Sequence, residues 1–183
     1  MLADNYNHQL YYTAPATIWE ETLPLGNGRL GMMPDGGIDK EHIVLNEISL
    51  WSGMEADYGN PDASRSLPAI QQLLFEGKNK EAQELCGPTI CSPSANGMPY
   101  QTVGSLHLDF NGINNYNDYY RDLDIAKAIA TTRFTANGVT YTREAYTSFP
   151  DQVLVIRLTA SQKKSISFTA KYTTPYKNNV VRS

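Results

Sequence analysis

The 183 residues suffice for one domain or for part of a larger one, and at 41% hydrophobic and 19% charged they describe a globular chain able to bury a core. A net charge of -4, with no block of five basic residues, argues against a nucleic-acid partner, because neutralising phosphates takes clustered Lys and Arg. No apolar run approaches the roughly 20 residues of a membrane helix, so no membrane partner is expected, and MLADNYNHQL has neither the charged nor the apolar region of a signal peptide.

The first part of the chain mixes short strands with turns, and GRLGMM and EHIVLNEISLWSG are its strand candidates. In LPLGNGRLGMM, Gly26, Gly28 and Gly31 spell G-x-G-x-x-G, and Glu47 lies about 20 residues further on, where a dinucleotide fingerprint places its ribose acid. The context excludes a nucleotide. Such a loop must follow a buried strand and open a helix, whose N-terminus meets the pyrophosphate. Here IWEETLP precedes the glycines, and Pro34, Gly36 and Gly37 forbid a following helix. Asn27-Gly28 reads instead as a two-residue hairpin signal.

NPDASRSLPAIQQLLFEGKNKEAQELC is helical, with Leu67, Ile70, Leu73 and Leu74 at helical spacing. Asn60 or Ser66 caps the start, Pro61 or Pro68 falls in the first turn, and Gly77 ends the helix. A short second helix carries Ala82 and Leu85, and CGPTICSPSANGMPY reads as loop. Strand resumes in YQTVGSLHLDF, with Val103, Leu106 and Leu108 as core and His107 on the polar face.

From about Ile125 to Tyr172 the chain reads as an antiparallel meander. Asn137-Gly138 is the preferred type I′ turn pair, and Pro150-Asp151 breaks the next connection. QVLVIRLTA is apolar on both faces and is expected to be a central strand. KKSISFTAKYT puts Ile166, Phe168, Ala170 and Tyr172 on a buried face. The sum is a mainly β chain, a two-layer antiparallel β-sandwich with a short helical insertion around residues 61–86. No metal or other cofactor is expected. Cys86 and Cys91, read as free thiols or as a disulfide, cannot complete a four-ligand site, and His8, His42 and His107 lack ligand spacing.

Taken in order, PATIWEETLPLGNGRLGMM, IVLNEISLWSG, NPDASRSLPAIQQLLFEGKNKEAQEL, YQTVGSLHLDF and YYRDLDIAKAIATTRFTANGVTYTREAYTSFPDQVLVIRLTA resemble the N-terminal domain of glycoside hydrolase family 95, the 1,2-α-L-fucosidases. The combination W-x-E-x-L-P-L-G-N-G-R-L-G, L-N-E-x-x-L-W-S-G and Y-Q-x-x-G-x-L-H-L is the specific part. Ile48-Ser49 stand where that family commonly has Asp-Thr. The resemblance implies a large β-sandwich followed by an (α/α)6 barrel that holds the inverting Glu acid and Asp base. This chain stops at TTPYKNNVVRS, where such a sandwich would continue. It would then be an incomplete, non-catalytic domain spanning residues 1–183, partnered by the barrel of its own parent chain and, through it, by a fucosylated glycan. The family setting implies a periplasmic or extracellular location.

Inverting hydrolysis needs two carboxyl groups about 6.5–9.5 Å apart. Glu20 and Glu21, as neighbours on an extended chain, point opposite ways, while Glu47 and Asp57 sit among turn residues. No catalytic residue is assigned. Asn27, Arg29, Asn46, Glu47 and Trp51, with Gln101 and Gly104 as a weaker pair, are the residues expected to tie the sandwich to the barrel or to line the cleft. Glu47 and Arg29 can pair to fix two loops, and Trp51 offers a flat face to a sugar. The other reading is a stand-alone sugar-binding module that uses Tyr11, Tyr12, Tyr116, Tyr119, Tyr120 and Trp51, or an assembly module.

Overall fold

The computed structural model describes residues 8–53, 57, 59–92, 98–113 and 115–176. The chain forms two compact units, Met1–Leu50 with Thr102–Ser183, and Trp51–Gln101. Among the described residues the first unit holds ten strands: β1 (Gln9–Tyr12), β2 (Leu25–Gly26), β3 (Leu30–Pro34), β4 (Lys40–Glu47), β5 (Gly104–Asp109), β6 (Asn117–Asp124), β7 (Ile129–Ala136), β8 (Val139–Ser148), β9 (Val153–Ala160) and β10 (Thr169–Thr173). They build two antiparallel five-stranded sheets, ordered β1-β6-β7-β8-β9 and β10-β5-β4-β3-β2. The architecture is the expected β-sandwich. Its core joins Leu123, Phe134 and Ala145 of the first sheet to Leu25, Met32, Ile43 and Leu108 of the second.

Turn chemistry sets the register. Asn137 and Gly138 have φ of 52° and 74°, as a type I′ turn requires, and they join β7 to β8. The earlier hairpin sits one residue away from its expected place. Asn27 N–H donates to the Leu30 carbonyl at 3.1 Å, so the central pair is Gly28-Arg29, and Gly28 carries the positive φ of 87°. Asn27 is drawn out of the turn by its side chain, whose Oδ1 accepts the Arg29 and Leu30 N–H groups at 3.0 and 2.7 Å.

A polar seam crosses the buried face of the first sheet. Arg121, Thr132 and Arg143 are successive cross-strand partners on β6, β7 and β8, and all three are buried. Arg143 spans to the second sheet. It pairs with Glu41 of β4 at 2.8 Å, donates to the Ile38 carbonyl at 2.6 Å and to the Gly37 carbonyl, and lies 4.0 Å above the Phe110 ring. Arg121 donates to the Ala14 and Glu21 carbonyls at 2.8 and 2.7 Å and covers the Tyr12 ring. Tyr119 Oη donates to the Gly36 carbonyl at 2.7 Å. The β3–β4 connection, PDGGID, is thus held by buried donors on the opposite sheet, which supply its carbonyls with the partners that burial denies them.

The strands depart from expectation at three points. First, β9 lies at an edge of its sheet, not at its centre. The chain leaves it through residues 161–164 and crosses to the other sheet. Its inward Leu154, Ile156 and Leu158 pack on the core only partly, and Val153 stays exposed. Second, the last strand begins only at Thr169 and adds to the edge beside β5, which leaves Ile166 and Phe168 exposed. Third, β1 and β6 are strands where the sequence pattern shows none. In NDYYRDLD the alternation is hidden because Arg121 takes a core position.

The second unit contains α1 (Ala63–Phe75) and α2 (Asn79–Thr89), so the helical insertion is present. Asp62 occupies the N-cap position, but its side chain pairs with Arg65 at 3.2 Å and makes no capping bond. Asn60 Oδ1 accepts the Asp62 N–H at 3.0 Å one turn earlier, while Ser66 and Pro68 lie inside the helix. The stop is as expected. Lys78 N–H reaches the Leu73 carbonyl at 2.9 Å and Gly77 N–H the Leu74 carbonyl at 3.0 Å, a Schellman motif with Gly77 at φ 75°. Helix α2 runs through Cys86, Gly87 and Pro88, where the sequence suggests loop, and residues 93–97 of that stretch lie outside the described residues. Cys86 and Cys91 are free thiols. No helix among the described residues is long and apolar enough to cross a membrane.

Candidate functional site

The loop end of the β2-β3-β4 hairpins brings three expected residues together. Leu30 and Glu47 are cross-strand partners, and Ile48 N–H donates to the Arg29 carbonyl at 2.9 Å. That register brings the Arg29 side chain alongside Glu47, and Nε meets Oε1 at 2.9 Å. The other carboxylate oxygen accepts the Ser49 N–H at 2.9 Å and its hydroxyl at 2.6 Å. Ser49, foremost, and then Arg29 hold the Glu47 carboxyl below the ordinary value, since each bond favours the ionised form. Glu47 is thereby an anchor, with no proton to lend near neutrality.

Asn27 extends the network across the sandwich. Its Oδ1 closes the Gly28-Arg29 turn, and its Nδ2 donates to the Ser148 carbonyl at 2.7 Å, at the end of β8. Loops of both sheets are therefore stitched at one end. Ile48 and Phe149, each next in sequence to a member of this network, are exposed. The Arg29 side chain is 61% exposed, and its Nη groups make no hydrogen bond among the described residues. The result is a guanidinium fixed at its root and open at its tip.

The other expected residues behave differently. Asn46 is the cross-strand partner of Gly31, and its side chain makes no hydrogen bond among the described residues. Trp51 and Gln101 belong to the second unit. There Trp51 forms a bridge with Tyr100, with ring centroids 4.8 Å apart at 66°. Glu20 and Glu21 occupy a 3-10 turn (Trp19–Glu21) and not the extended chain expected of them. Glu21 accepts the Thr17 N–H and hydroxyl at 2.7 and 3.0 Å, and these bonds lower its carboxyl. Asp57 accepts the Gly59 N–H at 2.8 Å, a turn-capping role.

Of the tyrosines, Tyr119 is core, and burial pushes its phenol well up. Tyr12 lies beneath Arg121, and Tyr116 meets Tyr119 edge-on. Tyr11 and Tyr120 stack on the outer face of the first sheet. His107 takes the outer face of its strand, as expected, and stacks on His42 with centroids 4.8 Å apart. Two features escaped the sequence reading: the Glu41–Arg143 pair and the environment of Asp122. The signal for both was register, which places Glu41, Asp122 and Arg143 on their faces only once their cross-strand partners are known.

Comparison with known proteins agrees with a glycoside hydrolase N-terminal sandwich. The family model described as glycosyl hydrolase family 65, N-terminal domain, matches residues 10–183. It carries that number where the sequence resemblance suggested 95. An Arabidopsis thaliana protein named alpha-L-fucosidase 2 is 33% identical over 170 residues, which cover 90% of this chain and 20% of the relative. A probable alpha-fucosidase A of Aspergillus niger is 32% identical over 170 residues, covering 83% of this chain and 21% of the relative. The like-named protein of Aspergillus oryzae is 29% identical over 160 residues, covering 82% and 21%. The chain spans about a fifth of the length of the curated relatives it matches.

Proposed function

We propose, for a chain that belongs to the N-terminal domain family of glycosyl hydrolase family 65, that it is the non-catalytic sandwich of a longer, inverting α-L-fucosidase-like enzyme of the family 95 kind. Its stitched loop end borders the active site, which a helical barrel of the same polypeptide supplies. The parent enzyme works on fucosylated glycans in the periplasm or outside the cell.

The reading is supported by the names of the relatives and by the ties of four glutamates. Hydrolysis with inversion requires one carboxyl group free to give a proton and another free to activate water. Glu21, Glu41, Glu47 and Glu144 are each engaged with a neighbour in this chain. The observation that carries the bordering role is Arg29. Glu47 holds its Nε, Asn27 holds its backbone, and its Nη donors remain available to a barrel carboxylate or to substrate hydroxyls.

The test is made in the parent enzyme with an α-L-fucoside as substrate. Arg29→Ala is expected to lower kcat/KM by about ten- to a hundredfold, the loss of a charged hydrogen bond or two. Asn27→Ala, which frees the same turn, should act in the same direction. Unaltered kinetics in both variants would remove the bordering role. Enzyme-like turnover by the 183-residue chain alone would remove the non-catalytic one.

A further inference from the structure

The outer face of the first sheet carries a cleft that the loop end does not use. Strand register sets its floor. Tyr11, Asp122, Thr131, Glu144 and Arg157 are successive cross-strand partners over all five strands, so they form one outward row. Gln9, Asp124 and Ile129 form the neighbouring row. Of the first row Asp122, Thr131 and Glu144 line the cleft, and all three of the second do; its volume is about 310 Å³, at the small end of the range of ligand pockets.

Asp122 is the unusual member. It lies on an outer face yet is only 5% exposed. Its one side-chain hydrogen bond among the described residues comes from Gln9 Nε2 at 3.2 Å. A carboxyl group so buried ordinarily collects several donors. Burial, and next the nearby Asp124, raise its affinity for a proton. The other two acids are already held. Asp124 accepts Lys127 Nζ at 2.8 Å and its N–H at 3.0 Å, and Glu144 accepts Arg157 at 3.3 Å. The cleft therefore offers held acceptors, with one Asp122 oxygen, Oδ1, taking no hydrogen bond among the described residues.

An aromatic wall stands beside that floor. Tyr11 is 64% exposed and stacks on Tyr120, with centroids 6.3 Å apart and planes at 26°. Its cross-strand partner is Asp122 itself. A flat exposed ring next to a buried acceptor suits a ligand with an apolar face and hydroxyl donors at its edge. Carboxylates also serve cations, but no group of three or more His, Cys, Asp or Glu among the described residues converges on a metal position.

We propose that this cleft is a second carbohydrate site, which takes a neutral pyranose unit with Tyr120 as the aromatic side of its lining, Tyr11 stacked against Tyr120 to hold it, and Asp122 as the hydroxyl acceptor at its floor. The site goes beyond the bordering role and stands or falls separately from it.

The 183-residue chain is titrated with methyl α-L-fucopyranoside, methyl β-D-galactopyranoside and methyl β-D-xylopyranoside, followed by backbone amide NMR. At least one probe is expected to give saturable shifts confined to residues 120–124 and 129–131. Tyr11→Ala and the near-isosteric Asp122→Asn should each weaken it about tenfold, while Arg29→Ala leaves it unchanged. If Asp122→Asn does not fold, Tyr11→Ala, at an exposed position, decides alone. Absence of shifts at those amides with all three probes would overturn the site, as would undiminished binding in the folded variants. Loss of binding in Arg29→Ala would also overturn it, by moving the sugar to the loop end. Each of these results leaves the kinetic test of Arg29 in the parent enzyme untouched.

Discussion

Arg143→Met should be among the most damaging single changes in the sandwich. The pair it breaks is closed off from water, with side-chain exposures of 5% for Arg143 and 4% for Glu41. Truncation strands a buried carboxyl and leaves the Gly37 and Ile38 carbonyls without their donor. Breaking a buried pair from one side costs about 3–5 kcal/mol. Each abandoned acceptor adds about 1–3 kcal/mol if nothing replaces the donor. Glu41 has a partial escape, because burial already raises its pKa against the pull of Arg143, and without the guanidinium it can fold protonated. The expected loss is therefore about 4 kcal/mol near pH 7, a fall in Tm of roughly 8–16 °C for a chain of this size. A raised carboxyl pKa in the folded state penalises folding above the unfolded value. The defect should accordingly grow with pH above about 4.3 and shrink below it. In the double variant Arg143→Met, Glu41→Leu neither charge is buried, and the cycle should show coupling of about 2–3 kcal/mol. Urea unfolding followed by circular dichroism reads all four proteins. A loss under about 1 kcal/mol for Arg143→Met, or additivity within about 0.5 kcal/mol, would refute this account of the seam.

Gly36→Ala tests the same seam from the hairpin. A Cβ there would stand 2.6 Å from Tyr119 Oη and 2.8 Å from Arg121 Cδ, at a φ of 71°, so a loss of about 2–4 kcal/mol is expected in the same melts. Gly28→Ala, at φ 87° but in open space, should cost only about 1–2 kcal/mol, and equal losses would show that close packing is not what selects Gly36. Glu47 offers a pH test. Its carboxyl is depressed by Ser49 and Arg29, so its contribution is fully present above the unfolded value of about 4.3 and disappears as pH falls through the lower folded value. An NMR titration of its side-chain carbon with a midpoint at or above 4.3 would contradict the ties assigned to it.

Local chemistry explains what could be read from the chain alone. Asn137-Gly138 needs only its own backbone to make a type I′ turn, and Gly77 needs only a left-handed residue to end α1. Alternation in GSLHLD places Leu106 and Leu108 inward whatever strand lies beside them. The order of short motifs pointed to a glycoside hydrolase sandwich, and the Arg29–Glu47 tie was foreseeable from two loops rich in turn residues. The sequence by itself thus determined the turn between β7 and β8, the C-terminal end of α1 and the mainly β class, because turn, cap and strand alternation each depend on neighbours within a few residues.

Tertiary structure decided the rest. Apolarity on both faces suggested a central place for β9, yet which strands flank it depends on where the chain goes after Ala160. Arg143 looks like a surface residue until the Gly37 and Ile38 carbonyls and Glu41 arrive from the opposite sheet to accept its hydrogen bonds, and Arg121 until the Ala14 and Glu21 carbonyls accept its own. Asp122 becomes the floor of a cleft only when Gln9, from more than a hundred positions away, pairs beside it. Burial of a charge, the occupant of a sheet edge and the lining of a cleft are properties of groups distant in sequence. No local pattern encodes them, and only the paired sheets bring the groups within a hydrogen bond of one another.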